Sequence, residues 1–117
     1  MRVLIADDDA DVREVLVESF RDAGFDVLQA ANGLEALLCV KRDRPDAVVL
    51  DLMMPRLNGL EVLSTLKADP ALARTRVLVV TAQPASEVEA REHGADGVIV
   101  KPFAPEDLAE LAVRLVG

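Results

Sequence analysis

Short apolar runs that alternate with helical stripes constrain this chain more than any other feature. Val3–Ala6, Ala47–Leu50, Val77–Val80 and Val98–Val100 are each apolar at every position. A strand without polar alternation is buried on both faces, as in a parallel sheet covered by helices. Phe25–Ala30 reads as a further strand, second in chain order. Between the runs the period changes. Asp9–Gly24 carries Val12, Val15, Leu16, Phe20 and Ala23 at helical spacing, with Asp9 and Asp11 at the positive end and Gly24 as a stop. Asn32 caps a helix through Lys41, and Pro45 closes that unit. Gly59–Ala68 places Leu60, Leu63 and Leu66 on one side, and Ser86–His93 is a short helix ended by Gly94. Pro105 opens a last helix bearing Leu108, Leu111, Ala112 and Leu115. Strand–helix units in succession predict an α/β fold, an open parallel sheet doubly wound by right-handed crossovers. Five units are too few for an eight-fold barrel. No repeat or linker divides the chain, so residues 1–117 read as one domain.

Composition narrows the function. Thirteen basic residues against 21 acidic give a net charge of −8, which argues against direct nucleic-acid binding and against docking on an anionic membrane. The 51% hydrophobic content excludes a disordered acidic tail. One cysteine, Cys39, forms no internal disulfide and builds no zinc site with the single histidine, so a reducing compartment, the cytoplasm, is expected. No apolar run approaches the roughly 18 residues of a spanning helix. Met1-Arg2-Val3-Leu4-Ile5 runs into three aspartates and does not read as a signal peptide.

Ligand sites in open parallel sheets form beyond the carboxyl ends of the strands. Asp7 and Asp8 follow the first run, Asp51 the third, Thr81 the fourth and Lys101 the fifth. Strand ends are polar in any case, and aspartate favours turns and helix starts. That accounts for one carboxylate but not for the joint pattern, nor for a lysine set beside Pro102. Three converging carboxylates repel one another, and a divalent cation relieves the conflict. An all-oxygen set suits Mg²⁺, which binds few carboxylates and often faces a phosphate. Beside it an aspartate can attack phosphorus and become an aspartyl phosphate, with Lys101 and Thr81 supplying donors to the phosphoryl oxygens. Asp51 stands alone at a central strand end and reads as the nucleophile, while the adjacent Asp7 and Asp8 read as a metal pair.

Leu4-Ile5-Ala6-Asp7-Asp8-Asp9, Val49-Leu50-Asp51-Leu52-Met53-Met54-Pro55 with Gly59, Val79-Val80-Thr81-Ala82 and Val100-Lys101-Pro102-Phe103 together resemble the receiver (response-regulator) domain family of two-component signalling. The resemblance covers the whole chain, with the motifs in the family's order. It implies a flavodoxin-like (βα)₅ fold, a five-stranded sheet in the order 2-1-3-4-5. It implies that Asp51 accepts a phosphoryl group from a sensor histidine kinase or histidine phosphotransfer protein and that the change is passed to a downstream effector. By the family pattern Asp8, Asp51 and the Met53 carbonyl ligate Mg²⁺, Asp7 acts through a bound water, and Thr81 and Lys101 hold phosphoryl oxygens. The Lys101–Pro102 bond is expected to be cis. The last helical stripe ends at Gly117, where a receiver's last helix should end.

Two departures fall where relatives switch. Many receivers carry Tyr or Phe three residues before the lysine, and this chain has Val98. The segment from Thr81 to Gly94 is also shorter than usual and contains Pro84. A short or displaced fourth helix and a weakened output are expected. Elsewhere plain readings are preferred. Cys39 is a packed thiol, His93 sits at a helix end, Met53 and Met54 pack a loop, and Asp9 caps a helix. Asp69-Pro70 makes a turn, and Asp46 and Asp96 lie at the edge opposite the site.

The leading expectation is a phosphoacceptor signalling domain that assists only its own phosphorylation and dephosphorylation and turns over no external substrate. The alternative is a phosphorylation-independent interaction domain on the same fold. A Mg²⁺-dependent aspartate phosphatase ranks below both, because such enzymes usually place a second acid where this chain has Met53. Dinucleotide binding ranks lower still, for lack of a glycine-rich phosphate loop.

Overall fold

A computed structural model describes residues 1–54, 56 and 58–116. Pro55 of the second motif and the terminal Gly117 lie outside the described residues. The elements alternate without exception. They are β1 (Arg2–Ala6), α1 (Ala10–Asp22), β2 (Asp26–Ala30), α2 (Gly33–Asp43), β3 (Ala47–Asp51), α3 (Gly59–Ala68), β4 (Arg76–Thr81), α4 (Ser86–Glu92), β5 (Gly97–Val100) and α5 (Pro105–Val116). All neighbouring strands are parallel, in the order β2-β1-β3-β4-β5, as expected.

The apolar runs are explained by two cores. Side chains alternate across a strand, so an all-apolar strand feeds both faces. Val3, Ile5, Val49, Leu78 and Val80 face α1 and α5, packing with Leu16, Val17, Phe20, Leu108 and Ala112. Leu4, Val48, Leu50, Val77 and Val79 face α2, α3 and α4, packing with Val40, Leu63, Leu66 and Ala90.

The helices start where their caps put them. Asp9 Oδ1 accepts from the N–H groups of Asp11 and Val12, Asn32 from that of Glu35, and Asn58 from that of Glu61. The side-chain Nδ2 groups of Asn32 and Asn58 donate in turn to the Glu35 and Glu61 carboxylates, holding each capping side chain in place. The buried stripe of α1 differs from the expected one. Leu16, Val17 and Phe20 are buried, whereas Val15 is 49% exposed and Ala23 is exposed. The helix is wedged between β2 and α5, so its inward arc turns by one position. The fourth helix is short, seven residues, and its N-cap Ala85 offers no side-chain acceptor.

Candidate functional site

Strand register brings the singled-out residues to one edge. Ala6 pairs with Leu50, so Asp7 and Asp51 emerge level with each other from β1 and β3. Asp51 pairs with Val80, and Thr81 with Val100, so Thr81 and Lys101 follow on the next two strands. The Lys101–Pro102 peptide bond is cis. Close approach of α3 shapes the same edge. A Cβ on Gly59 would lie 2.5 Å from the Asp51 carbonyl oxygen, so only glycine lets the α3 start sit against the end of β3.

Carboxylate oxygens of Asp7, Asp8 and Asp51 lie within 4.8 Å of one another, the one such acidic group among the described residues. Asp7 and Asp51 are buried and Asp8 is exposed. Burial holds the Asp7 carboxyl above its ordinary pKa. The negative charges of Asp51 and Asp8 push the same way, against the Asp9 N–H bond and the Lys101 charge. Lys101 Nζ lies 3.4 Å from Asp51 Oδ2, and Asp51 Oδ1 accepts from the Met53 N–H at 2.9 Å. The buried Thr81 hydroxyl accepts from the Gln83 N–H at 3.1 Å and faces the Gln83 carbonyl at 3.4 Å. Asp7, Asp8, Asp51 and Lys101 are thus grouped, and Thr81 stands at the adjoining strand end.

The donor chemistry fits a hard divalent cation, since the cluster offers only oxygen and two of its members are buried like charges without a full complement of cations. Met53 belongs here through its main chain alone. Its side chain is 71% exposed and does not pack, which corrects the expectation of loop packing, whereas Met54 is buried.

The plain readings hold elsewhere. Cys39 is buried, its Sγ is 3.5 Å from Asp43, and burial pushes the thiol pKa up. His93 ends α4 with Nδ1 2.8 Å from the Glu89 carbonyl. Asp46 and Asp96 lie at the opposite edge, where Asp46 accepts from the Arg2 N–H and Asp96 from the Val77 N–H. One residue escaped the sequence reading. Arg13 Nη1 donates to the Asp7 carbonyl at 2.7 Å. The signal for it is an arginine three and four residues before Leu16 and Val17, on the inward stripe of α1, visible only once that stripe is placed correctly.

Known proteins share both the sequence and the fold. Response regulator MprA of Mycobacterium leprae is 46% identical over 108 residues, covering 92% of this chain and 47% of that protein. The DNA-binding response regulator MtrA of Mycobacterium tuberculosis is 40% identical over 117 residues, 97% of this chain and 50% of that protein. The chain therefore spans about half the length of these curated relatives. The chemotaxis response regulator CheY4 of Vibrio cholerae superposes with a TM-score of 0.90 at 33% identity, covering 97% of each chain. A response regulator structure from Chloroflexus aurantiacus reaches 0.93 at 32% identity, over 98% of this chain and 96% of that one. The family model described as the response regulator receiver domain matches residues 3–113. Sequence and fold agree along nearly the whole length, and the chain belongs to the response regulator receiver domain family.

Proposed function

We propose that the chain is a phosphoacceptor. Asp51 takes a phosphoryl group from a phosphohistidine donor, a sensor histidine kinase or a histidine phosphotransfer protein. The observation that carries this reading is the convergence of Asp7, Asp8 and Asp51 with Lys101 Nζ 3.4 Å from Asp51 Oδ2. A carboxylate oxygen of Asp51 attacks phosphorus as the N–P bond to the donor imidazole breaks, and the imidazole leaves with the bonding pair. Asp8, Asp51 and the Met53 carbonyl would hold Mg²⁺, with Asp7 acting through a bound water. When bound, the ion neutralises the carboxylates and charge on the phosphoryl oxygens. The Lys101 ammonium donates to one phosphoryl oxygen. Thr81 turns its hydroxyl from the Gln83 carbonyl to another. The chain turns over no external substrate.

Phosphorylation then biases binding to an effector, attached or separate. The relatives named as response regulators, one of them as DNA-binding, support that output. The net charge of −8 argues that this part itself does not touch nucleic acid. No helix of the described residues is long and apolar enough to cross a membrane, and the single buried cysteine agrees with a cytoplasmic setting. We also propose that the readout is weaker than in relatives with an aromatic residue at position 98. Val98 is half-buried against the core and carries no ring or hydroxyl, and α4 is short. The same features give weight to a second reading, an interaction domain that works without phosphorylation.

Intact mass after incubation with Mg²⁺ and acetyl phosphate separates the two. One added phosphoryl group, absent without Mg²⁺ and absent in Asp51→Asn, is the expected result. No adduct from acetyl phosphate or from a kinase donor, with Mg²⁺ shown to bind, selects the second reading.

A further inference from the structure

We infer that Arg13 is a positioning residue that sets how tightly the acidic cluster holds a divalent cation. The inference rests on the reading of Asp7 and Asp8 as the cation's residues. Arg13, Leu16, Val17 and Phe20 occupy one stripe of α1, and the three apolar members are buried. An arginine on the inward side of a helix is tolerated when its donors find partners. Here Nη1 donates to the Asp7 carbonyl at 2.7 Å and Nε to Gln29 Oε1 at 3.3 Å. The Asp7 N–H donates to the Ala30 carbonyl at 3.2 Å, and the Arg13 N–H to the Asp9 carbonyl at 2.9 Å. Both main-chain polar groups of Asp7 are therefore fixed, one to the end of β2 and one to α1. The planar guanidinium serves the Asp7 carbonyl and Gln29 at once because its donors point in different directions.

Arg13 has no hydrogen bond to a carboxylate of the cluster among the described residues, so it leaves those oxygens to the ion. Two effects oppose each other. Its positive charge repels a cation, and its clamp holds the Asp7 main chain in place at the peptide that leads into Asp8. Salt and solvent weaken the first at this half-buried position but leave the second intact. The clamp wins, and its loss weakens cation binding. Groups that orient ligands from behind typically contribute 10- to 100-fold in affinity.

The test is a Mg²⁺ titration followed by amide NMR shifts, on the wild-type chain, Arg13→Gln and Arg13→Lys. Arg13→Gln should bind Mg²⁺ about ten-fold more weakly. Arg13→Lys, which keeps one donor and the charge but not the fork, should recover part of that loss. The rate of phosphoryl uptake from acetyl phosphate at saturating Mg²⁺ should stay unchanged in both, a split that general loss of structure would not give. Unchanged or tighter Mg²⁺ binding by Arg13→Gln would overturn the inference. Should that variant fail to fold, Gln29→Leu removes only the Nε partner. A smaller weakening is then expected, and unchanged affinity overturns the inference equally. Wild-type protein that binds Mg²⁺ yet takes up no phosphoryl group sinks the proposed function alone, since the affinity comparison still decides the role of Arg13.

Discussion

The two edges of the sheet treat charge in opposite ways. At the edge where the strands begin, Asp46 and Asp96 have their cation or N–H donors. Asp96 accepts from Lys67 Nζ and from the Val77 N–H, both at 2.8 Å, and lies 3.4 Å from Arg76 Nη1. Lys67 donates also to the Thr75 carbonyl at 3.0 Å, tying α3 to β4 and β5. At the edge where the strands end, three carboxylates share one ammonium, and the nearest approach is 3.4 Å. Satisfied charge at one edge staples the fold. Uncompensated charge at the other is destabilising by itself, which supports the cation site proposed above.

The largest expected effect follows from that difference. Mg²⁺ at about 100 times its dissociation constant should stabilise the wild-type chain by about 2.7 kcal/mol, read as a shift in the denaturant midpoint. Asp8→Asn should lose most of the shift. A wild-type midpoint that ignores Mg²⁺ would break the contrast between the edges.

A smaller effect tests the opposite edge. Lys67→Met keeps the unbranched stem but removes the ammonium from Asp96 and from the Thr75 carbonyl, leaving Asp96 the Val77 N–H and Arg76, and should cost about 2 kcal/mol. The pair is partly exposed, with side-chain exposures of 17% and 18%, which keeps the figure below that of a fully buried pair. The loss should be the same with and without Mg²⁺, because distant sites add. A loss that depended on Mg²⁺ would show the edges to be coupled.

The same contrast explains what could be read from the chain before folding. The strands were legible because two-sided burial leaves no polar residue in Val3–Ala6 or Val77–Val80, whereas their order followed only from the family resemblance, since apolar runs do not say which strands pair. The acidic cluster was legible because a parallel sheet sends every strand end to one edge, so chain order alone grouped Asp7, Asp8, Asp51 and Lys101. Which helix face turns inward was less legible. The periodicity of α1 allows either Val15 or Val17, and only packing against β2 and α5 selects Val17. Arg13 was missed for that reason. Met53 was misjudged because a loop's hydrophobic pattern does not say which of two adjacent methionines meets the core.

The smallest expected effect depends on the ion. Asp7 is buried, and its folded pKa is raised above the ordinary 3.8, so the folded chain holds that proton more tightly than the unfolded chain does. A raised folded pKa gives a stability contribution that is complete below pH 3.8 and is lost as pH climbs through the folded value. Asp7→Asn removes the charge and keeps an oxygen for the Asp9 N–H, which Asp7 Oδ1 accepts at 2.9 Å. In Mg²⁺-free buffer at neutral pH the variant should be more stable than wild type by about 1 kcal/mol. The advantage should shrink as pH falls through the raised folded value and level off below 3.8, where the wild-type carboxyl becomes protonated in both states. In saturating Mg²⁺ the order should narrow or invert, because the variant has lost part of what holds the ion. Denaturant midpoints of both proteins across pH, with and without Mg²⁺, read all three. Were Asp7→Asn the less stable in Mg²⁺-free neutral buffer, the carboxylate would be a structural anchor like Asp96, and the distinction between the two edges would fail at its most buried residue.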